Sequence, residues 1–188
     1  MPVELVEVGD LLRDETARAE MTALNPLGQV PVLQLPSGEV MTESAAITLH
    51  LADLMASDAL VPGPRSPERP AFLRWLVFIV ANIYPTFTYA DVPGRFVSDP
   101  VAADSFRQAV DRHAETLWLQ FGAAAPGPWA LGDRFSALDI YVAVMTRWRP
   151  GRGWFASHLP HLSAIADRVA AHPRIGPVMA RNFPPRPA

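Results

Sequence analysis

The spacing of apolar residues predicts a mixed α/β segment at the start of the chain. Residues 3–8 read Val-Glu-Leu-Val-Glu-Val, close to the period of two that is typical of a strand with one face against a core. Residues 15–24 suit a short helix, which the turn formers at 25–28 then end. Residues 30–35 and 39–41, joined by a Pro-Ser-Gly turn, predict a β-hairpin.

A purely helical pattern follows. A helix is predicted from Glu43 to about Ala56, and the proline-rich stretch at 61–67 then interrupts regular structure. Pro85 should kink or divide the first long helix beyond it. We therefore place a first domain at 1–57, a linker at 58–66 and an all-helical domain at 67–188. The helices predicted in that last domain lie near 67–90, 101–122, 136–149, 159–171 and 173–181.

Composition excludes several classes of protein. The 188 residues suit one large domain or two small ones, and 49% apolar with 19% charged residues is the balance of a globular chain. The longest apolar run, Trp75 to Ala81, is much shorter than the roughly 20 residues that a membrane span needs. No basic segment precedes an apolar one at the start of the chain, so both membrane insertion and secretion are disfavoured.

The counts of cysteine, charged residues and histidine exclude further kinds of site and partner. There is no cysteine, which excludes disulfides, thiolate metal sites and a cysteine nucleophile within the chain. The net charge is −3 and the sixteen basic residues, all Arg, are scattered, so nucleic acid is not an expected partner. His158 and His161 are three residues apart without an evident third ligand, and no metal site is expected.

Two joined motifs carry a resemblance to a known family. Asn25-Pro26-Leu27-Gly28-Gln29-Val30-Pro31-Val32-Leu33 is followed at hairpin distance by Thr42-Glu43-Ser44-Ala45-Ala46-Ile47. This combination resembles the glutathione-binding half of the glutathione S-transferases, and the order of the later elements agrees with that family. The resemblance implies an α/β plus all-α fold: an incomplete thioredoxin-like domain followed by a helical bundle.

The first motif implies a site for the backbone of glutathione. The family carries a cis peptide at the bond equivalent to Val30–Pro31, which would turn the Val30 N–H and C=O toward solvent. There they can pair with the cysteinyl part of glutathione as an added strand does. An ordinary trans proline at the start of a strand is the alternative. Gln29 could reach the glycyl carboxylate, or it could be a solvated turn residue.

The second motif lies where a strand gives way to a helix, so free N–H groups and the positive end of the helix dipole favour an anion. The resemblance implies that Ser44 holds the γ-glutamyl carboxylate and that Glu43 meets the α-ammonium group. The alternative is that Ser44 only caps the helix and Glu43 improves its dipole.

A third motif concerns stability. Ser136 and Asp139 have the spacing of a capping box at the start of a helix, with Asp where Glu is commoner. This resembles the folding motif of the family's helical domain, and no chemistry is assigned to Asp139.

No segment of this sequence resembles the family's first strand and helix, which carry the catalytic Tyr, Ser or Cys. The catalytic residue is therefore expected to precede Met1, and none is identified in the chain. The absent strand would lie beside residues 3–8, so this segment is expected to pair differently, exchange between protomers or stay mobile.

Aromatic residues of the first long helix are candidates for a pocket that holds a hydrophobic electrophile. The resemblance places Tyr84 and Tyr89 there, together with Trp75, Phe78, Phe87 and Phe96. Core packing is the alternative for aromatic residues at helical spacing.

The function implied is that of a cytoplasmic, homodimeric protein that binds glutathione and joins its thiol to a hydrophobic electrophile. One alternative is a non-catalytic glutathione-binding or scaffold protein of the same fold. Another is a related glutathione-dependent isomerase, dehalogenase or peroxidase.

Overall fold

The computed structural model describes residues 3–11 and 13–184, and the chain divides into two compact units, Met1–Asp58 and Ala59–Ala188. The first unit contains α1 (Glu15–Leu24), β1 (Leu33–Gln34), β2 (Val40–Met41) and α2 (Ser44–Leu54). The second contains α3 (Arg69–Phe78), α4 (Tyr84–Asp91), α5 (Pro100–Ala124), α6 (Ala137–Met145), α7 (Arg152–His158), α8 (Pro160–Ala171) and α9 (Gly176–Asn182).

Helix α1 has the bounds that its sequence predicts. The Asp14 carboxylate caps it by accepting hydrogen bonds from the N–H groups of Thr16 and Ala17, at 2.9 and 3.0 Å. The helix ends at Leu24, and the N–H of the next residue, Asn25, still donates to the Met21 carbonyl. Ala17 and Met21 are its buried residues, so one narrow face of α1 is covered.

The predicted hairpin is confirmed, with shorter strands than expected. β1 and β2 pair antiparallel, with Leu33 opposite Met41 and Gln34 opposite Val40. The turn closes through a 2.8 Å hydrogen bond from the Leu35 N–H to the Glu39 carbonyl. Gly38 adopts φ 87° in this turn, a conformation that favours glycine.

The strand predicted over residues 3–8 is wrong. Residues 3–10 have no regular structure, and Val3, Leu5 and Val6 are 56–79% exposed. Alternation shows that a segment could bury one face, but a strand also needs a neighbour for its N–H and C=O groups. Among the described residues, no strand pairs with this segment.

The first long helix of the second unit is divided, as Pro85 predicts. A single wide π-helical turn, Ile79–Ile83, separates α3 from α4, and the Tyr84 N–H donates to the carbonyl of Ile79. Proline has no N–H for an ordinary helical bond, and its ring would clash with the carbonyl four residues earlier, so the turn widens before it.

The run Arg69–Asp91 is long and apolar enough to cross a membrane, judged by length and composition alone. The core helix of a protein outside membranes can have the same length and composition. Five of its side chains are essentially inaccessible to solvent: Phe72, Leu76, Ile79, Ile83 and Ala90. The run thus supplies part of the core of the second unit.

Much of the remaining core lies among α5, α6, α7 and α8. It includes side chains that are at most 2% exposed: Trp118, Phe121, Leu138, Val142, Phe155, Leu162 and Ile165. Gly122 allows α5 to approach Leu159 closely, because a Cβ there would lie 2.5 Å from the leucine side chain. The Nε2 atom of His161, in α8, lies 3.0 Å from the Gly122 carbonyl oxygen and so also connects α5 to α8.

The predicted capping box at the start of α6 is confirmed. The Ser136 hydroxyl accepts from the Leu138 N–H at 3.3 Å, and the Asp139 carboxylate accepts from the Ser136 N–H at 2.7 Å. The other carboxylate oxygen of Asp139 accepts from the Ala130 N–H at 2.8 Å. Burial raises the pKa of this carboxyl above its ordinary value, although these hydrogen bonds act against the rise.

The helix predicted over 136–149 stops at Met145, and α7 was not predicted. Between them, Arg149 donates to the carboxylates of Asp91 on α4 and Asp111 on α5, at 2.7 and 2.9 Å. These bonds hold the segment after α6 against the preceding helices.

Candidate functional site

The loop that follows α1 presents three of the predicted site residues to solvent. Gln29, Val30 and Pro31 are exposed, whereas Asn25 at the start of the loop is only 5% exposed. Gly28 turns the chain with φ 61°, and its N–H donates to the Asn25 carbonyl at 2.7 Å. The loop therefore begins at a buried polar residue, and its last residues are exposed to solvent.

The backbone at Val30 has the arrangement expected from the resemblance. The Val30–Pro31 bond is cis, so the alternative of a trans proline is wrong. Val30 is 55% exposed, and within residues 3–11 and 13–184 neither its N–H nor its C=O has a hydrogen-bond partner. One donor and one acceptor at this position can therefore pair with an extended peptide.

Helix α2 begins at Ser44, and Glu43 occupies the position before it. Glu43 has φ 68° and ψ 105°, unusual for a residue with a side chain, and its exposed carboxylate makes no capping hydrogen bond. Such a conformation costs roughly 1–3 kcal/mol and is found most often at functional sites. Ser44 is the first helical residue and is half-buried, so it does not occupy the capping position itself.

The hairpin register relates these two segments. Leu33 lies opposite Met41 as the last pair of the ladder, and beyond it the two chains continue to Val30–Pro31 on one side and to Glu43 on the other. The Val30–Pro31 bond and the start of α2 therefore lie at one end of the hairpin. This end combines unpaired peptide groups, an acidic side chain and a helix N-terminus.

The aromatic residues predicted for an electrophile pocket lie in the second unit, and their ring contacts divide them into three groups. Trp75 contacts Phe78, with ring centroids 5.1 Å apart. Tyr84 contacts Phe87 at 6.3 Å, and Tyr89 contacts Phe96 at 4.9 Å. Tyr89 is 40% exposed. The two tyrosines thus belong to different aromatic groups of the second unit.

Several aromatic neighbours of Tyr84 could not be predicted from the sequence. Tyr141 and Trp148 contact its ring at 6.3 and 5.8 Å, and the Arg149 guanidinium lies 5.8 Å from the Phe87 ring. These residues come from α6 and the segment after it, far from Tyr84 in the sequence. No local pattern joins them, so only the packing of α4 against later segments could reveal this group.

Comparison with known proteins identifies the family. The family described as "Glutathione S-transferase, N-terminal domain" matches residues 1–54. The uncharacterized GST-like protein YncG of Escherichia coli K12 is 38% identical over 184 residues, which cover 97% of this chain and 87% of that protein. The chain belongs to the glutathione S-transferase family.

Other relatives agree with this membership. Glutathione S-transferase GstA of Escherichia coli O157:H7 is 29% identical over 155 residues, covering 81% of this chain and 73% of that protein. A sphingomonad glutathione S-transferase solved in complex with glutathione is 28% identical, with a TM-score of 0.68 over 88% of this chain and 79% of that one. This glutathione S-transferase family member therefore shares its fold with enzymes of known structure.

A further solved structure supports the fold alone. A glutathione transferase homologue from Sulfitobacter, solved with bound glutathione, has a TM-score of 0.80 at 20% identity, covering 93% of this chain and 84% of that one. The fold class expected from the sequence is confirmed: a thioredoxin-like α/β unit with a small two-stranded sheet, and an all-helical unit.

Proposed function

We propose that this chain binds glutathione at the open end of the β1–β2 hairpin and joins its thiol to a hydrophobic electrophile. The observation that carries the proposal is the exposed Val30 backbone, which has no hydrogen-bond partner among the described residues and lies at the same hairpin end as Glu43. The relatives solved with glutathione support the choice of ligand.

Each part of glutathione has a group of matching chemistry at this site. The cysteinyl backbone pairs with the N–H and C=O of Val30. The γ-glutamyl carboxylate is held by Ser44 and by the N-terminus of α2, where the helix dipole is positive. The exposed Glu43 carboxylate binds the α-ammonium group, and Gln29 donates to the glycyl carboxylate.

The reaction that we propose is nucleophilic displacement. With a chlorinated aromatic acceptor, the glutathione thiolate attacks the carbon that carries chlorine, a C–S bond forms and the C–Cl bond breaks. Chloride leaves, and the thiol proton passes to solvent. Tyr84 and Tyr89 provide aromatic surface for the acceptor in this proposal.

A second candidate is a glutathione-binding protein without turnover. The residues proposed for the site bind the peptide, and none of them is assigned to stabilising a thiolate. We propose further, from the family resemblance, that the protein is a cytoplasmic homodimer.

The test is a rate measurement. Purified protein is mixed with glutathione and a chlorinated aromatic, and the absorbance of the thioether product is followed for the wild type and for Glu43→Ala. The proposal expects turnover that saturates with glutathione and an increased KM for glutathione in the variant. Glutathione binding without turnover would favour the second candidate, and absence of both binding and turnover would contradict the two candidates together.

A further inference from the structure

Asn25 uses both ends of its side-chain amide inside the loop that leads to Val30. Its Nδ2 donates to the Gln29 carbonyl at 2.8 Å, and its Oδ1 accepts from the Leu27 N–H at 3.1 Å. The residue is buried, so both groups would lack water if these bonds were lost. The amide is therefore held in one orientation and fixes the carbonyl of Gln29 in turn.

Fixing the Gln29 carbonyl also fixes the N–H of Val30. The two groups belong to one planar peptide, and since the Gln29–Val30 bond is trans they point in opposite directions. Asn25 draws the carbonyl toward the end of α1. The Val30 N–H must therefore point away from Asn25, and it meets no acceptor among the described residues.

Without the Asn25 donor, this peptide plane could rotate. Opposite changes in ψ of Gln29 and φ of Val30 reverse the plane while the chain path barely moves, and both residues are exposed. Gly28, with φ 61°, shapes the preceding turn but makes no bond to the Gln29 carbonyl. The Asn25 side chain thus selects one orientation of the Val30 N–H.

We propose that Asn25 is a positioning residue, which aims the Val30 N–H at a backbone acceptor of glutathione. This inference rests on the proposed function, because it assumes that glutathione pairs with Val30. The inference adds to the proposed site a buried residue, Asn25, that does not contact glutathione and acts by orienting the Gln29–Val30 peptide.

Two substitutions remove the donor and keep an acceptor for the Leu27 N–H. Asn25→Asp replaces Nδ2 with an oxygen, and Asn25→Ser leaves a hydroxyl that can still close the local turn but is too short to reach Gln29. Thr146→Val is the matched control. It removes a fully buried hydroxyl that donates to the Ala143 carbonyl at 3.0 Å in the second unit.

The experiment combines calorimetric titration with glutathione, the free energy of unfolding and the amide NMR signal of Val30. We expect the wild type and Thr146→Val to bind equally, with a shift of the Val30 amide signal on binding. Both Asn25 variants should remain folded, bind about tenfold more weakly or worse, and lose that shift. A purely structural role would lower stability without removing the Val30 response from the molecules that bind.

Two results would overturn the inference while glutathione binding itself stands. One is a folded Asn25→Ser protein that binds as tightly as the wild type. The other needs no variant: a wild-type complex in which the Val30 amide signal does not move. If the wild type binds no glutathione, the proposed function fails, and the role of Asn25 fails with it.

Discussion

Leu33 lies opposite Met41 in the β1–β2 hairpin, and this single pair sets which residues share the open end of the sheet. A shift of one residue in this pairing would turn every side chain of the strand to the other face of the sheet. The hairpin therefore brings the exposed Val30 backbone and the strained residue that precedes α2 to the same end of the sheet. Two motifs that are separate in the sequence become one site through the hairpin.

The strain at Glu43 predicts that function and stability conflict at this residue. Glu43→Gly should raise the free energy of unfolding by about 1 kcal/mol, since glycine adopts φ 68° without steric penalty, and it should weaken glutathione binding. Urea denaturation and calorimetric titration measure the two effects.

Ala56 provides the control for this prediction. It also has a positive φ, 45°, and lies exposed after α2. Ala56→Gly should stabilise the protein and leave glutathione binding unchanged. If Glu43→Gly were no more stable than the wild type, the backbone at Glu43 would carry no strain.

The capping box of α6 predicts unequal costs for its two residues. Ser136→Ala removes a cap and should lower the free energy of unfolding by about 1 kcal/mol. Asp139→Ala should cost about 3 kcal/mol, because it leaves the buried N–H groups of both Ala130 and Ser136 without an acceptor. Equal losses in urea denaturation would show that the bond to Ala130 adds nothing.

The raised pKa of Asp139 predicts a pH dependence of stability. The folded protein holds the proton more tightly than the unfolded chain, so this group's contribution is greatest below the ordinary value of 3.8 and is lost as pH rises through the folded pKa. The difference in unfolding free energy between wild type and Asp139→Asn should therefore shrink as pH rises from about 4 toward neutrality. A constant or growing difference would contradict the assignment.

Two glycines predict opposite effects of the same substitution. A Cβ at Gly176, the first residue of α9, would overlap the backbone carbonyl of Ala170, so Gly176→Ala should destabilise the protein by about 2 kcal/mol. Gly153 is exposed in α7 with nothing within 4 Å of an added Cβ, and Gly153→Ala should stabilise by roughly 0.5–1 kcal/mol. Thermal unfolding of both variants separates close packing from helix propensity.

The elements that could be predicted from the sequence are those whose ends are marked by capping residues or turn formers next to them. Asp14 and Asn25 bound α1, and Ser136 with Asp139 starts α6, because caps act within one helical turn. Residues 3–8 were mispredicted because alternation contains no information on whether a neighbouring strand exists. Helix α7 was missed because Pro150, Gly151 and Gly153 resemble a loop.

Tertiary contacts explain both α7 and the less visible parts of the site. Phe155 of α7 is fully buried against Trp118, with ring centroids 5.0 Å apart, and this packing outweighs the weak helix propensity. At the site, the sequence motif indicated Val30, Pro31 and Glu43. It could not show the positive φ of Glu43 or the Asn25 bond to Gln29, since both depend on the backbone path between the motifs.

Calorimetric titration of glutathione into the wild type, Glu43→Ala and Ala56→Gly tests the central claim most directly. Binding at the hairpin end predicts measurable affinity in the wild type and an equal affinity in Ala56→Gly. In Glu43→Ala the affinity should fall about tenfold or more, because a charged partner of the ligand is lost. No binding by the wild type, or an unchanged affinity in Glu43→Ala, would contradict the account.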